Sequence, residues 1–289
     1  MKTTRYFMAA AMTIALAACN NEMEMEGTTY VPDEGEIQLM MMHPHQTRVT
    51  ETSFEASDSI GVYVTASDAA LQLAGNEVNN ELFTYNGTSW TSKRRVYWNT
   101  GKHNVYAFYP YSKKVNDVVD YSFSVQTDQS TDWGYMHSDF LFASALDVAA
   151  SSEPVAMQFA HMLSNVVVML EKGENYEGDL PNDAEVYMLS TVPQAVIDLS
   201  TGDAAKDNYA GTETIRCKKI SNGEYRAVVV PQSLTSRRPL VEVVAGNVAY
   251  LMEGKISFRP GYRHTIKVEL NQDPEQVKIE IGGEIGNWN

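Results

Sequence analysis

Residues 155–170 read VAMQFAHMLSNVVVML and combine two strand patterns. Val155, Met157 and Phe159 alternate with other residues, which is the period-2 pattern of a strand with one buried face. The apolar run 165–170 follows, and such a run indicates a strand covered on both faces. His161 is in phase with the buried face, so we expect a hydrogen-bonded core histidine rather than a catalytic one.

The same patterns recur along the chain. In residues 36–42, Ile37, Leu39 and Met41 share one face, which predicts a half-buried strand. The stretch 238–252 predicts a hairpin, with Gly246-Asn247 as its tight turn. Turn residues recur between the strands, as in a β-sandwich, so we predict an all-β fold. Further strands are expected at 60–65, 96–98, 104–111, 184–189, 195–199, 224–230, 264–270 and 277–281.

An acidic, turn-rich stretch at 171–183, EKGENYEGDLPND, interrupts these strands. Its composition is typical of a linker. A chain of 289 residues is long enough for two domains. We therefore expect tandem β-sandwich domains over residues 36–170 and 171–289.

The chain begins like a secreted lipoprotein. Lys2 and Arg5 give a positive start, and residues 6–18 form an apolar run too short to span a bilayer. The tetrad LAAC at 16–19 resembles a lipobox, in which acylation of the Cys19 thiol accompanies removal of the signal.

We therefore expect a signal peptide at 1–18, a lipid on Cys19 and a flexible polar tether at 19–35. Each buried methylene of such a lipid contributes about 0.8 kcal/mol to anchoring. The alternative is an ordinary secretory signal with an incidental cysteine. Once Cys19 carries lipid, Cys217 has no partner for an internal disulfide.

Composition and motifs limit the function. The formal charge of −15 argues against nucleic acid as a partner, because phosphate contacts need Lys and Arg. The sequence contains no nucleophile elbow, zinc-protease helix motif, P-loop or dinucleotide fingerprint. We therefore predict no catalytic residues, no cofactor and no enzymatic activity.

Three local features have competing interpretations. His43-Pro44-His45 places two histidines at alternate positions, but Pro44 favours a turn over a metal site. The aromatic run 106–111, YAFYPY, suits core packing better than a sugar platform. The pairs Arg94-Arg95 and Arg237-Arg238 are expected to be solvated strand ends rather than a phosphate clamp.

Several segments together resemble one family: 54–64, 80–98, 103–111, 139–170, 198–204, 228–234, 261–270 and the terminal IGNW. They occur in the order found in fimbrillin-family proteins of the Mfa-like type, which are lipoprotein-derived pilus subunits of Gram-negative anaerobes. The resemblance implies two transthyretin-like β-sandwich domains. Asp58-Ser59-Ile60 also matches an O-glycosylation pattern of such bacteria, although its place at a strand start favours packing of Ser59.

In stalk-forming members, an Arg-specific protease cuts after the first strand, and the vacated groove accepts a strand from another subunit. Arg48 follows the first predicted strand and is the sole arginine between Arg5 and Arg94. It is either this cut site or an exposed loop residue. The terminal segment from Gln276 is either a donor strand or the end of its own sheet.

The resemblance implies a stalk, anchor or tip subunit of fimbriae that serves adhesion. Its partners would be other fimbrial subunits through strand donation, outer-membrane lipid through Cys19, and a surface glycan or protein. The expected location is the cell surface, in the fimbrium or anchored to the outer membrane. The alternative is a surface lipoprotein that acts as a glycan-binding module.

Overall fold

Extended strands dominate the computed structural model, which describes residues 32–44, 54–246 and 248–286. Within these ranges, helical structure is limited to the α-helix α1 (Asp132–Met136) and a 3-10 turn (Pro274–Gln276). The prediction of an all-β fold is confirmed. No helix of these residues is long and apolar enough to cross a bilayer.

Several predicted features lie outside the described residues: the signal peptide, Cys19, most of the tether, His45 and Arg48. The strands up to residue 172 are β1 (Leu39–Met42), β2 (Ser59–Ala66), β3 (Val78–Tyr85), β4 (Trp90–Ser92), β5 (Lys102–Tyr109), β6 (Tyr121–Ser124), β7 (Leu141–Ala149), β8 (Val155–Gln158), β9 (Ala160–His161) and β10 (Ser164–Lys172).

The later strands account for the second half of the described chain. They are β11 (Glu185–Thr191), β12 (Gln194–Ile197), β13 (Ala204–Lys206), β14 (Glu213–Arg216), β15 (Lys218–Ser221), β16 (Glu224–Val229), β17 (Gln232–Ala245), β18 (Val248–Phe258), β19 (Tyr262–Leu270) and β20 (Lys278–Gly286).

A six-stranded antiparallel sheet forms the first half, in the order β4-β3-β2-β5-β7-β9. On β2, Ile60, Val62 and Val64 are buried on one face, as predicted, and Tyr63 is buried on the other. Successive side chains of a strand point to opposite faces. The sheet is therefore covered on both sides at β2.

The strand β10 lies at the centre of a five-stranded sheet ordered β15-β16-β10-β19-β20. It runs antiparallel to β16 and parallel to β19. Val166, Val167 and Val168 are all buried, which confirms a strand covered on both faces. The final strand, β20, pairs with β19 of the same sheet.

The predicted hairpin is confirmed in the four-stranded sheet β14-β11-β17-β18. Ala245 pairs with Val248, so the connection has two residues. Gly246 has φ +57°, which a two-residue turn of this kind requires and glycine adopts without strain. A three-stranded sheet, β13-β12-β6, joins a strand of the first half to two of the second.

Two hydrophobic clusters fill the spaces between the sheets. The N-terminal core draws its buried members from residues 37–159, and the central core draws its members from residues 63–270. The predicted domain boundary at 170/171 falls inside β10, whose strand partners in the described part of the chain, β16 and β19, both come later in sequence. Division into two transthyretin-like domains stays a prediction.

Candidate functional site at the first ribbon

Residues 32–44, here the first ribbon, include β1 and the turn before it. Its second half runs parallel to β8, with Leu39 opposite Val155. The Val155 N–H donates to the Gln38 carbonyl at 2.9 Å, and the Phe159 N–H donates to the Met42 carbonyl at 2.9 Å. Within the described residues, β8 has no other strand partner. The ribbon therefore covers an otherwise open edge.

The first half of the ribbon pairs with a different segment. The Ile37 N–H donates to the Val96 carbonyl at 2.9 Å, and the Trp98 N–H donates to the Gly35 carbonyl at 3.0 Å. These bonds run antiparallel, with Glu36 opposite residue 97. The ribbon therefore makes backbone hydrogen bonds with two separate segments.

The predicted inward face of the ribbon is confirmed. Ile37 is 3% exposed and Leu39 is 7% exposed, and Met41 packs against the N-terminal core with them. Met40 points outward and is 50% exposed. Burial of an aliphatic side chain contributes roughly 1.5–3 kcal/mol. The ribbon is thus held by apolar burial as well as by its backbone hydrogen bonds.

Removal of the ribbon would leave two complementary features. The β8 edge would present unpaired N–H and C=O groups, beginning with the Val155 N–H. The side chains of Val155, Met157 and Phe159, now buried in the N-terminal core, would border an apolar trough. An extended segment with alternating apolar residues satisfies both features at once.

A charged clamp holds the start of the ribbon. A turn brings Asp33 and Glu36 together, with the Asp33 N–H donating to Glu36 Oε2 at 2.9 Å. Arg95 Nη1 lies 2.7 Å from Asp33 Oδ1 and 3.0 Å from Glu36 Oε2. The Tyr97 hydroxyl donates to Asp33 Oδ2 at 2.7 Å. Glu36 is 2% exposed, so its carboxylate is buried against the guanidinium.

This clamp revises two sequence interpretations. Arg95 is exposed, as expected of a solvated position, but it also pairs with a buried carboxylate 59 residues away in sequence. Asp33 and Gly35 were expected to lie in the flexible tether, but they form part of the turn. The sequence D-x-G-E at residues 33–36, directly before an alternating strand, could have predicted the turn. No pattern near Arg95 in the sequence indicates that it pairs with Glu36.

Aromatic contacts hold the other end of the ribbon. The His43 ring meets Phe54 edge-on at 5.0 Å and His161 at 6.1 Å. Burial lowers the pKa of the His43 imidazole below its ordinary value of about 6.5. His43 and Phe54 flank residues 45–53, which contain Arg48 and lie outside the described residues.

Phe54, which directly follows residues 45–53, anchors the chain to the N-terminal core. Its ring contacts Trp90 at 5.0 Å, Phe159 at 5.4 Å and Tyr109 at 5.9 Å. His161 is buried, as predicted, and its Nδ1 lies 2.8 Å from Asp139 Oδ2. His43 and Phe54, the described residues near the two ends of the segment that contains Arg48, therefore belong to one aromatic cluster.

The described residues provide no additional ligand for a metal site at His43 and His45. His45 lies outside the described residues, and His43 Nδ1 lies 2.9 Å from the Pro44 carbonyl oxygen. The described residues contain no group of three or more histidine, cysteine or acidic side chains placed to hold a metal ion.

The remaining candidates lie apart from the ribbon. Ser59 begins β2, and its hydroxyl lies 3.3 Å from the Thr84 hydroxyl. Burial raises the pKa of the Cys217 thiol to about 12, which keeps it protonated and unreactive. Tyr106 and Phe108 of the aromatic run are buried in the central core, which supports packing.

The chain resembles known fimbrial proteins in sequence. The fimbrillin-like family matches residues 47–288. The "Putative fimbrium tip subunit Fim1C" of Bacteroides ovatus is 27% identical over 263 residues, covering 81% of this chain and 47% of that protein. The chain thus spans about half the length of this curated relative.

Solved structures share the fold. A "putative cell adhesion protein" of Bacteroides ovatus has a TM-score of 0.72 at 19% identity, covering 88% of this chain and 98% of the other. Another, from Bacteroides uniformis, has a TM-score of 0.68 at 18% identity, covering 90% and 100%. Since the family match takes in β2 to β20, this chain belongs to the fimbrillin-like family.

Proposed function

We propose that this protein is a structural subunit of cell-surface fimbriae that serves adhesion. Membership of the fimbrillin-like family supports this role, as does the fimbrium tip name of its relative. The single structural observation that carries the mechanism is the first ribbon, which is buried on one face and paired along its length. Its contacts are those that an incoming strand of a neighbouring subunit would reproduce.

Assembly replaces the ribbon by a strand from another subunit. The replacing strand buries apolar side chains where Ile37, Leu39 and Met41 now lie, at roughly 1.5–3 kcal/mol each. It also restores the hydrogen bonds to β8, each with a net contribution of about 0.5–1.5 kcal/mol. Completion of the fold and joining of the subunits are then one event, which gives a durable joint.

Cleavage after Arg48 would break the covalent link between the ribbon and the body, so that another strand could replace the ribbon. Both flanks of residues 45–53 are fixed by the His43–Phe54 contact, so a cut between them separates the ribbon from the body without breaking any described strand. The same cut would detach the lipid that we expect on Cys19. Acylation thus serves delivery to the outer membrane, and proteolysis serves release into a fimbrium.

Mass spectrometry of the N-terminus tests this processing in protein taken from cells. A terminus at Val49 is expected for an assembled subunit, and an acylated Cys19 is expected for an anchor or an unprocessed chain. The variant Arg48→Ala should keep its lipid and fail to assemble. Arg237→Ala changes an exposed arginine outside the ribbon and should assemble normally.

A surface cleft gives the glycan-binding alternative a location. The cleft has a volume of about 340 Å³ and is lined mainly by polar residues of the 124–127, 193–194 and 210–213 segments. Tyr209, next in sequence to one of these segments, is 99% exposed. Exposed aromatic rings stack on sugar faces, and amide and hydroxyl groups bind sugar hydroxyls.

Glycan-array binding by the intact monomer tests this alternative. If it holds, Tyr209→Ala should abolish retention, whereas Trp133→Ala, at an exposed aromatic residue of α1, should not. Absence of glycan retention leaves fimbrial assembly as the function. We propose no catalytic role for either site.

A further inference from the structure

We propose that Arg95 and Tyr97 select the incoming strand by its carboxylates. This inference rests on the proposed strand exchange and concerns the same groove. Arg95 and Tyr97 belong to the body of the protein, whereas both acids that contact them, Asp33 and Glu36, belong to the ribbon. Departure of the ribbon removes both carboxylates from this end of the groove.

The two sides of the clamp differ in burial. The Glu36 side chain is 2% exposed, while the Arg95 side chain is 38% exposed. Water can therefore hydrate the guanidinium when the groove is empty, whereas Arg95 supplies the opposite charge to a carboxylate buried at the Glu36 position, which also accepts a hydrogen bond from the Asp33 N–H. A buried charge without a partner is strongly destabilising. The groove therefore tolerates loss of the acid better than loss of the arginine.

Selection also works by exclusion. A lysine or arginine at the Glu36 position would place a second cation against Arg95 at a position where the Glu36 side chain is only 2% exposed. Juxtaposed like charges disfavour the wrong partner more than they strengthen the right one. The clamp therefore rejects basic segments that would otherwise satisfy the apolar trough.

The spacing of the ribbon defines the partner chemistry. One carboxylate comes immediately before the first inward apolar residue, Ile37, and a second comes three positions earlier, across a turn. Gly35 has φ +76° in this turn, a conformation that favours glycine. The expected partner is an extended segment of another subunit that opens with an acidic turn and continues with apolar residues at alternate positions.

A peptide-exchange experiment tests the clamp. The full chain is cut at Arg48 with an Arg-specific protease and incubated with excess labelled peptide of the 32–44 sequence. Two further peptides carry Glu36→Gln or Glu36→Lys, and retained label and its dissociation rate are measured. We expect wild-type protein to hold the Glu36→Gln peptide about thirtyfold more weakly than the unchanged peptide, and the Glu36→Lys peptide more weakly still.

Protein variants separate the clamp from general binding. Arg95→Gln should remove most of the discrimination between the unchanged and Glu36→Gln peptides. Arg94→Gln should preserve it, because Arg94 pairs with Glu81 on the body of the protein. Comparing peptides on one protein makes the result independent of that variant's stability.

Two results would overturn the inference, and they distinguish failure of the clamp from failure of strand exchange. Equal retention of all three peptides by wild-type protein would refute the clamp but leave strand exchange intact. Failure to retain even the unchanged peptide would refute strand exchange and the clamp with it. A peptide with Leu39→Asp should be lost from every protein, which shows that retention reports the groove.

Discussion

His43, at the end of the ribbon, has a pKa below its ordinary value in the folded protein. Its ring lies against Phe54 and His161, and burial is the main cause of its lowered pKa. The nearby carboxylates of Asp139 and Asp58 favour the charged imidazole, while the charge of His161 opposes it. Burial prevails, so the folded protein holds His43 neutral over a wider pH range than the unfolded chain does.

This difference predicts a loss of stability in acid. Between the folded pKa of His43 and about pH 6.5, the unfolded chain binds more protons, so stability falls as pH falls through this window. The loss stops growing below the folded pKa. Urea unfolding between pH 7.5 and pH 5 should therefore show a steeper decline for wild type than for His43→Phe, which keeps a ring but does not titrate. Parallel profiles for wild type and His43→Phe would show that His43 does not couple pH to stability.

Gln129 is a second residue whose substitution should change stability, in this case through contacts with the central core. It is fully buried, and its Nε2 donates to the Val228 carbonyl at 2.8 Å while its Oε1 accepts from the Val228 N–H at 2.7 Å. Gln129→Ala strands two buried backbone groups, each at about 1–3 kcal/mol. We expect the free energy of unfolding to fall by about 2–4 kcal/mol in urea titration.

The matched control for this substitution is Gln272→Ala, which makes the same chemical change at an exposed position. It should alter the free energy of unfolding by less than about 0.5 kcal/mol. Equal effects of the two substitutions would contradict the role given to Gln129.

Among the strands, β1 allows a direct test of its two faces. Leu39 is buried in the N-terminal core and Met40 beside it is half exposed. Leu39→Ala removes buried methylene groups and leaves a cavity, so we expect a loss of about 2–4 kcal/mol in unfolding free energy. Met40→Ala should cost less than about 0.5 kcal/mol. Similar losses for both would mean that the ribbon is not seated on the core as described.

The sequence predicts individual strands well where the signal is local. The faces of β1, the double burial of β10 and the hairpin of β17 and β18 follow from residue patterns within each segment. Side-chain period and turn chemistry are properties of a few adjacent residues. These features could therefore be predicted without knowledge of any partner.

Pairings between distant segments could not be predicted in this way. Nothing within β10 indicates that its neighbours are β16 and β19, and nothing within β6 indicates that it joins β12. The Arg95–Glu36 pair and the bonds of Gln129 also join residues far apart in sequence. One sequence provides no signal for such contacts. The charged clamp and the aromatic cluster at the two ends of the ribbon could therefore be identified only from the structure.

For the protein as a whole, the first ribbon is a small part of the chain that completes a much larger core. It closes the β8 edge, covers the apolar residues of the N-terminal core and is fixed by a charged clamp at one end and an aromatic cluster at the other. Its loss exposes hydrogen-bonding groups and apolar surface together. That combination favours capture of a strand from another copy or another subunit.

Gel electrophoresis in SDS without heating tests this replacement most directly. The full chain is compared before and after cleavage by an Arg-specific protease, beside Arg48→Ala treated identically. We predict a ladder of SDS-resistant oligomers from the cleaved wild type alone, and its collapse to monomer on heating. A cleaved wild type that stays monomeric, or an equal ladder from Arg48→Ala, would contradict the account.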